Sequence, residues 1–353
     1  MLFFELLQVA LGTREKLSKR PSEYEWKAMF VLAQKQAVAG IAFSALDKLS
    51  AQGQKPPKTI LYEWISIAEQ IKQRNILMNT RSVELIQLFD KNGFKSCILK
   101  GQGNALMYTE PLLRTSGDID IWVSGAREEI IDFCRSRVES CNVSSLHIQF
   151  PIWPDVDTEV HFMPSYSRVP RYTRPNRLFF LCFNREEIDG KDQIPEGSKL
   201  YVPSNYMNLV FQMSHMARHF FNSGLGLRQM IDYFYLLKYT FGQVEVKQVL
   251  ATLQHLGLYK FSGAVMWVLK EVFCLEDNYL LGAIDEKRGK MLLDEALKTG
   301  NFGKYDQRLS AKLMNHSTTL SILSKNLKMV RLFPEEAFVI PLMNLWTNLK
   351  HLE

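Results

Sequence analysis

The sequence has few cysteines, and no two of them are spaced as Cys-x-x-Cys. Its five cysteines are scattered, which indicates neither a zinc site nor a redox motif, so we expect reduced thiols in a cytoplasmic protein. No stretch approaches the ~18 apolar residues of a membrane span, so we expect no membrane-spanning helix. The apolar N-terminus lacks a basic segment and a small-residue cleavage site, so we expect an amphipathic helix there, not a signal peptide.

The chain also lacks internal repeats, low-complexity tracts and a dense basic stripe. Its net charge of +6, from 43 basic and 37 acidic residues, is compatible with an anionic ligand such as a nucleotide. A dedicated nucleic-acid binder would show a denser basic pattern, so nucleic acid is only weakly supported as a partner. The 22 Phe, 13 Tyr and 6 Trp supply enough apolar surface for a folded core.

The hydrophobic pattern divides the chain into three parts. Residues 1–92 are predicted to be helical, and their last helix, over 60–91, ends at Asn92-Gly93. Residues 93–202 predict the order β-α-β-α-β-β, and residues 203–353 are predicted to be helical again. We therefore expect an α+β fold, with a small mixed β-sheet core between an N-terminal helical region and a C-terminal helical domain.

Changes in apolar spacing predict the elements of the central part. A strand is expected over 95–100, and Gly101 opens a helix that ends before Pro111. Ser204 is a plausible N-cap for the first C-terminal helix. The other predicted elements are a strand that begins at Asp118, a helix over 126–141, strands over 144–150 and 155–162, and a loop over 164–177.

The segment Gly117-Asp118-Ile119-Asp120 heads an apolar strand. Residues two apart on a strand point to the same side, so Asp118 and Asp120 present two carboxylates together while Ile119 enters the core. Two close anions without a counter-charge raise each other's pKa, and bound Mg²⁺ or Mn²⁺ removes that penalty. An isolated Asp-x-Asp is usually a turn or an exposed edge, but the preceding glycine and the following strand favour a metal site here.

A third carboxylate is expected from the strand over 155–162, in which Asp155, Asp157, Glu159 and His161 share one face. Glu159 lies deepest in this pattern, so we prefer it to Asp157 as the residue that completes the site. It could accept a proton from an acceptor hydroxyl or ligate a second metal ion, the alternative being an exposed strand carboxylate. His161 could orient a carboxylate or contact the substrate, although a satisfied strand histidine is the simpler interpretation.

Basic residues lie close to the two aspartates in the sequence. Lys100 and Gly101 occupy the predicted strand-to-helix turn, where free N–H groups attract phosphate and the lysine adds a charge. The alternative is a surface lysine beside a packing glycine. Arg114 could clamp a phosphate bidentately, or form an ion pair with Asp118 or Asp120.

Other pairs and series are better explained by structure than by chemistry. His215 and His219 share a helical face, but Met216 replaces the glutamate of a zinc motif, so we expect core or pocket-wall histidines. Arg228 and Asp232 are also four apart, so we expect them to pair on a helix. In the predicted loop over 164–177, arginine recurs at every third residue, at Arg168, Arg171, Arg174 and Arg177. In polyproline II geometry these four side chains would form one basic edge. That edge is either part of a solvated loop or a contact for an anionic acceptor.

The motifs resemble the DNA polymerase β-like nucleotidyltransferase superfamily. In that pattern a glycine turn opens a helix, Asp-x-Asp lies on the next strand, and a third acid lies on a later strand. More narrowly, the chain is similar to an uncharacterised bacterial nucleotidyltransferase family over about residues 10–330. The matching positions are Leu99-Lys100-Gly101, Pro111, Arg114, Gly117 to Asp120, Glu159-Val160-His161, His215, His219, Leu227-Arg228 and Asp232.

The resemblance implies an enzyme that transfers a nucleoside monophosphate from a nucleoside triphosphate to a hydroxyl of a small molecule, a protein or RNA. It implies Mg²⁺ or Mn²⁺ as the cofactor, held by the catalytic residues Asp118, Asp120 and Glu159. It also implies nucleotide contacts from Lys100, Gly101, Arg114, Gly117 and His161. Gly101-Gln102 stands where the superfamily usually has Gly-Ser or Gly-Gly, so metal binding is better supported than triphosphate binding.

Two alternatives stay open. The first is a catalytically inactive nucleotide-binding or interaction module with the same fold. The second is a toxin or defence-type transferase that acts on tRNA or protein, for which the arginines of the segment over 164–177 are the support.

Overall fold

The computed structural model describes residues 1–183, 188–193, 198–306 and 329–350. Ser22 begins the second helix with a reciprocal capping box to Glu25. The fifth helix ends at Asn92, and Gly93 follows with a φ of +83°, as the Asn-Gly pair predicted. The N-terminal helices are α1 (Leu2–Ala10), α2 (Glu23–Lys35), α3 (Ala39–Phe43), α4 (Leu46–Ala51) and α5 (Lys58–Lys91).

A four-stranded mixed sheet forms the centre of the molecule, as predicted, with the strand order β1-β2-β4-β3. Strand β2 is antiparallel to β1 and parallel to β4, and β3 is antiparallel to β4. A separate two-stranded sheet pairs β5 with β6. The elements of this part are β1 (Ser96–Ile98), α6 (Gln102–Ala105), β2 (Ile119–Val123), α7 (Arg127–Arg135), β3 (His147–Gln149), β4 (Thr158–His161), α8 (Pro170–Leu181), β5 (Ile188–Gln193) and β6 (Ser198–Pro203).

Alternation along β2 and β4 gives the sheet one apolar face. Ile119 and Ile121 of β2 and Val160 of β4 are buried in a core with Leu85 and Phe89 of α5. Because side chains alternate on a strand, this packing leaves the residues between them for the opposite face. That opposite face carries the acidic residues.

Some predicted elements of the central part differ from the structure in length or in type. The helix predicted to begin at Gly101 is a single turn, α6, followed by a short 3-10 turn over Pro111–Leu113. A Cβ at Gly103 would lie 2.9 Å from Val202 Cγ1, so α6 packs directly on β6. The segment predicted as a loop contains helix α8, which begins with proline at a first-turn position and buries Phe180.

The described residues of the C-terminal part are mainly helical, as predicted, and Ser204 caps the first helix by accepting a hydrogen bond from the backbone N–H of Met207. N- and C-terminal helices share one hydrophobic core, and Gln8 of α1 donates to the carbonyl of Val272, 2.8 Å away. The boundaries at 92 and 202 therefore stay predictions. The helices are α9 (Asn205–Phe221), α10 (Leu227–Thr240), α11 (Val246–His255), α12 (Tyr259–Phe273), α13 (Glu286–Thr299) and α14 (Pro334–Lys350).

The structure bears on the expectations that no helix spans a membrane and that the cysteines are reduced. In the part of the chain that the structure describes, none of the helices combines the length and apolar character needed to cross a bilayer. The five cysteines, all within the described ranges, are free thiols.

Candidate functional site

Three carboxylates converge at one end of the sheet. Asp120 of β2 and Glu159 of β4 are direct partners in the parallel register, and Asp118 immediately precedes β2. One carboxylate oxygen from each residue lies within 4.8 Å of the others. The two-residue periodicity therefore placed Asp118 and Asp120 together, and Glu159 supplies the third acid of the cluster. Asp157 is exposed one residue before β4.

Asp120 is the most buried of the three acids, with 2% of its surface exposed. Lys100 Nζ lies 3.0 Å from its Oδ2, and His161 Nε2 lies 3.0 Å from its Oδ1. Burial opposes ionisation, but the lysine charge and the histidine hydrogen bond outweigh it and hold the pKa of Asp120 well below its usual range. The expected mutual rise in pKa applies to two anions without a counter-charge, and Lys100 supplies that charge to Asp120.

Asp118 behaves as that expectation described. Repulsion from Asp120, reinforced by burial, raises the pKa of Asp118, while Lys100 offsets part of the shift. The lysine ammonium contacts Asp120 and leaves Asp118 without an ion pair of its own among the described residues. The cluster thus has negative charge that a bound cation would neutralise.

Histidines border Glu159 on both sides. His161 Nε2 lies 3.5 Å and His147 Nδ1 lies 3.4 Å from Glu159 Oε2. Burial raises the pKa of Glu159, but its contacts with His161 and His147 lower it further than burial raises it. For His161, burial lowers the pKa, but the hydrogen bonds to Asp120 and Glu159 raise it by more, so the pKa of His161 is raised overall. His161 therefore contacts two acids of the cluster from its buried position on β4.

A chain of contacts between side-chain nitrogen atoms leads from Lys100 to helix α9. Lys100 Nζ lies 2.9 Å from His215 Nε2, which lies 3.0 Å from His219 Nε2. His219 Nδ1 in turn lies 2.9 Å from the hydroxyl of Ser223. Burial, followed by the nearby positive charges, lowers the pKa of both histidines well below the usual value, so they are neutral at pH 7. The expectation of core or pocket-wall histidines is confirmed, since His215 is buried and His219 lines a cavity beside the acids.

Arg114 does not pair with the acids of the cluster. It donates two hydrogen bonds of 2.7 Å, from Nε and Nη2, to the two oxygens of Asp232 on α10. Tyr108 donates a third bond, of 2.6 Å, to the same carboxylate. The bidentate donors that we expected to clamp a phosphate are therefore already used inside the protein. The predicted pairing of Asp232 with Arg228 is also wrong.

Arg114 and its neighbours hold the segment that leads into Asp118. Asn75 of α5 donates 2.7 Å hydrogen bonds to the carbonyls of Leu112 and Arg114. Arg228 of α10 donates a 2.7 Å bond to the carbonyl of Thr115. This segment is therefore attached to two helices, which fixes the position at which β2 and its aspartates begin.

Gly101 and Gly117 flank the cluster with different requirements. Gly101 has a φ of +62°, a conformation that favours glycine, and an added Cβ would lie 3.6 Å from the carbonyl of Asp118. A Cβ at Gly117 would meet nothing within 4 Å. Gly101 is thus required by the turn, whereas Gly117 leaves open space beside the carboxylates.

A cavity of about 500 Å³ opens onto the cluster, a volume in the range of small-molecule sites. Arg218 lines it, and the Nε of this guanidinium is buried without a hydrogen-bond partner among the described residues. Arg168 also lines it and donates a 2.7 Å bond from Nε to the hydroxyl of Tyr166. The cavity is lined by Lys100, Asp118, His147, Glu159, Tyr166, Arg168, Arg218, His219, Asn222, Ser223 and Phe302.

Among the cavity residues that the sequence did not single out are an arginine and a histidine, Arg218 and His147. Arg218 lies three residues after His215, a spacing that places both on one helical side, so the pattern could have found it. His147 lies opposite His161 in the β3–β4 register, and no local sequence signal gives that pairing.

The arginine series over 164–177 has a different geometry from the one predicted. Arg171, Arg174 and Arg177 are exposed on helix α8 and not on a polyproline II edge, and Arg171 lies 3.5 Å from Glu335. Arg168, before the helix, faces the cavity instead. The four arginines therefore do not form one continuous edge.

Comparison with known proteins gives a family match over most of the chain. The profile of a family described as "Uncharacterised nucleotidyltransferase" matches residues 22–133 and 154–274. None of the functionally curated proteins matches significantly. Among solved structures, the crystal structure of an antigenic nucleotidyltransferase-like protein from Paracoccidioides brasiliensis matches with 14% identity and a TM-score of 0.31, over 56% of this chain and 92% of that chain.

Proposed function

The chain belongs to the family of uncharacterised nucleotidyltransferases, and from that premise we propose that it moves a nucleoside monophosphate from a nucleoside triphosphate to an acceptor hydroxyl, with a divalent metal ion. The observation that carries the proposal is the convergence of Asp118, Asp120 and Glu159, of which Asp118 and Glu159 line a cavity. The acceptor is a hydroxyl of a small molecule, a protein or RNA.

The three acids suit a hard divalent cation such as Mg²⁺ or Mn²⁺. Their oxygens lie close enough together to share an ion, and oxygen ligands are those that Mg²⁺ prefers. The raised pKa of Asp118 reflects repulsion that such an ion would remove. When bound, the metal would supply electrostatic stabilisation to the charge that develops on the phosphate oxygens.

The side chains around the acids account for substrate binding. Arg218 offers a buried guanidinium at the cavity wall, and Arg168 offers a second one beside Tyr166. Guanidinium groups bind phosphate oxygens through paired hydrogen bonds, so we assign the triphosphate to these two residues. Lys100 keeps Asp120 ionised and lies at the same cavity.

The transfer step exchanges one oxygen for another at the α-phosphorus. The acceptor oxygen forms a bond to the α-phosphorus, the bond from that phosphorus to the β-bridging oxygen breaks, and pyrophosphate leaves. We assign the hydroxyl proton to Glu159, which lines the cavity and whose lowered pKa keeps it ionised at neutral pH.

Pyrophosphate release tests the proposal. The protein is incubated with each nucleoside triphosphate and Mg²⁺, with cell extract added as a source of acceptors, and the α-phosphate is labelled to detect transfer. We expect pyrophosphate release and labelled acceptor with the wild type and neither with Asp118→Ala. Nucleotide binding without turnover in the presence of extract would instead support the inactive nucleotide-binding module.

A further inference from the structure

The acidic cluster has a neighbour made of nitrogen donors. His147 on β3 and His161 on β4 are register partners, and Glu159 lies on the same face of β4 as His161. One donor atom from each of the three residues lies within 4.8 Å of the others. This group shares only Glu159 with the set of three carboxylates.

The separations of Glu159 from the two histidines match those between ligands of a single metal ion. Glu159 Oε2 is 3.4 Å from His147 Nδ1 and 3.5 Å from His161 Nε2. Ligands that lie about 2.1 Å from a tetrahedral ion are roughly 3.4 Å apart. His161 Nε2 also lies 3.0 Å from Asp120 Oδ1, and it would exchange this hydrogen bond for the metal ion.

Burial and unsatisfied atoms provide a second line of evidence. His161 is 3% exposed, and the Nδ1 atom of His147, the atom that lies next to Glu159, is buried with no hydrogen-bond partner among the described residues. His147 Nδ1 thus lies near Glu159 without forming a hydrogen bond to it. A buried polar atom that lacks a partner costs free energy, and a cation bound between His147 and Glu159 would give the Nδ1 atom of His147 a partner.

The donor types distinguish this group from the three carboxylates. Imidazole nitrogen favours ions such as Zn²⁺, whereas carboxylate oxygen favours Mg²⁺. Two histidines and one glutamate form a donor set that also occurs in catalytic zinc sites. We propose that His147, Glu159 and His161 form a second metal site, selective for Zn²⁺-type transition-metal ions, that shares Glu159 with the magnesium site.

Titration with Co²⁺ tests this site without nucleotide or turnover, so its result is independent of the proposed transferase activity. Co²⁺ substitutes for Zn²⁺ and gives visible absorption bands when bound by nitrogen and oxygen ligands in a tetrahedral site. The full-length wild type is compared with His147→Gln, which removes one ligand, and with His255→Gln, which removes an exposed histidine on α11. Circular dichroism verifies that each variant is folded.

We expect the wild type and His255→Gln to bind one Co²⁺ with these bands, to retain them in excess Mg²⁺, and to release the Co²⁺ to Zn²⁺. We expect His147→Gln to bind Co²⁺ at least about tenfold more weakly, since loss of even an outer-shell partner of a metal costs 10–100-fold. The proposal is overturned if the wild type binds no Co²⁺, if Mg²⁺ abolishes the bands, or if folded His147→Gln binds as the wild type does. Because the first two results come from the wild type, a misfolded variant does not prevent the test.

Discussion

Asp120 and Glu159 are direct partners in the parallel register of β2 and β4, although 38 residues separate them in the chain. Partners in a register point to the same face of a sheet, so the pairing brings their carboxylates together. The hydrogen bond from His161 to Asp120 links the same two strands. The backbone pairing therefore sets the geometry of the acidic cluster before any ligand binds.

Replacing Asp120 with Asn should abolish transfer while the fold is retained. The substitution keeps size and hydrogen-bonding capacity but removes the charge that faces Lys100 and the metal. Metal stabilisation is worth several kcal/mol, so we expect turnover to fall by at least about a hundredfold. The readout is pyrophosphate release, with thermal unfolding to monitor the fold.

Asp157→Asn is the matched control for this variant, because Asp157 is an exposed acid on the same segment as Glu159. It should retain wild-type turnover. Equal losses from Asp120→Asn and Asp157→Asn would contradict a specific role for the cluster.

Replacing Arg218 with Ala should weaken nucleoside triphosphate binding. A hydrogen bond to a charged group contributes about 1.5–3 kcal/mol, so the Kd should rise by roughly 10–100-fold. Arg177→Ala, on the exposed side of α8, is the control and should bind as the wild type does. The measurement is calorimetric titration with Mg²⁺ present. An unchanged Kd for Arg218→Ala would remove this residue from the phosphate site.

Replacing Arg114 with Met should destabilise the protein, since Asp232 would be left buried without its guanidinium partner. Breaking one side of a buried ion pair costs about 3–5 kcal/mol of unfolding free energy. The double variant Arg114→Met, Asp232→Leu should be more stable than the single one, because the Asp232 carboxylate is no longer buried without Arg114. Urea unfolding measures all three proteins, and an equal stability of wild type and Arg114→Met would show that the pair is dispensable.

The ion pair of Arg114 with Asp232 should also make the unfolding free energy depend on pH. Burial opposes ionisation of Asp232, but Arg114 outweighs it and lowers the pKa of Asp232 below its ordinary value. Because the pKa of Asp232 is lower in the folded protein, its ionised carboxylate stabilises the fold fully above the pKa of about 3.9 that an aspartate has in the unfolded chain. This stabilisation is lost as the pH falls towards the pKa in the folded protein.

The comparison of wild type with Asp232→Asn tests that sign. Their difference in unfolding free energy should be constant from neutral pH to about pH 5 and should narrow below about pH 4. A difference that widens on acidification would mean that Asp232 has a raised pKa.

Local patterns predicted the parts of the site that depend on one strand at a time. The alternation of Asp118, Ile119 and Asp120 placed two acids on one face, and the pattern around Glu159 supplied the third. The partner of Arg114 was not predictable in this way, because Asp232 lies 118 residues away and the contact depends on how α10 packs. Spacing alone favoured Arg228 as the partner of Asp232, since a four-residue interval shows which side chains are near but not which contacts tertiary packing selects.

The most direct test is calorimetric titration of a non-hydrolysable nucleoside triphosphate into wild type and Asp120→Asn, each with Mg²⁺ and with chelator. The account predicts binding to the wild type that requires Mg²⁺ and that is lost or greatly weakened in Asp120→Asn. Nucleotide binding that is equally tight with chelator, or unchanged in Asp120→Asn, would contradict it.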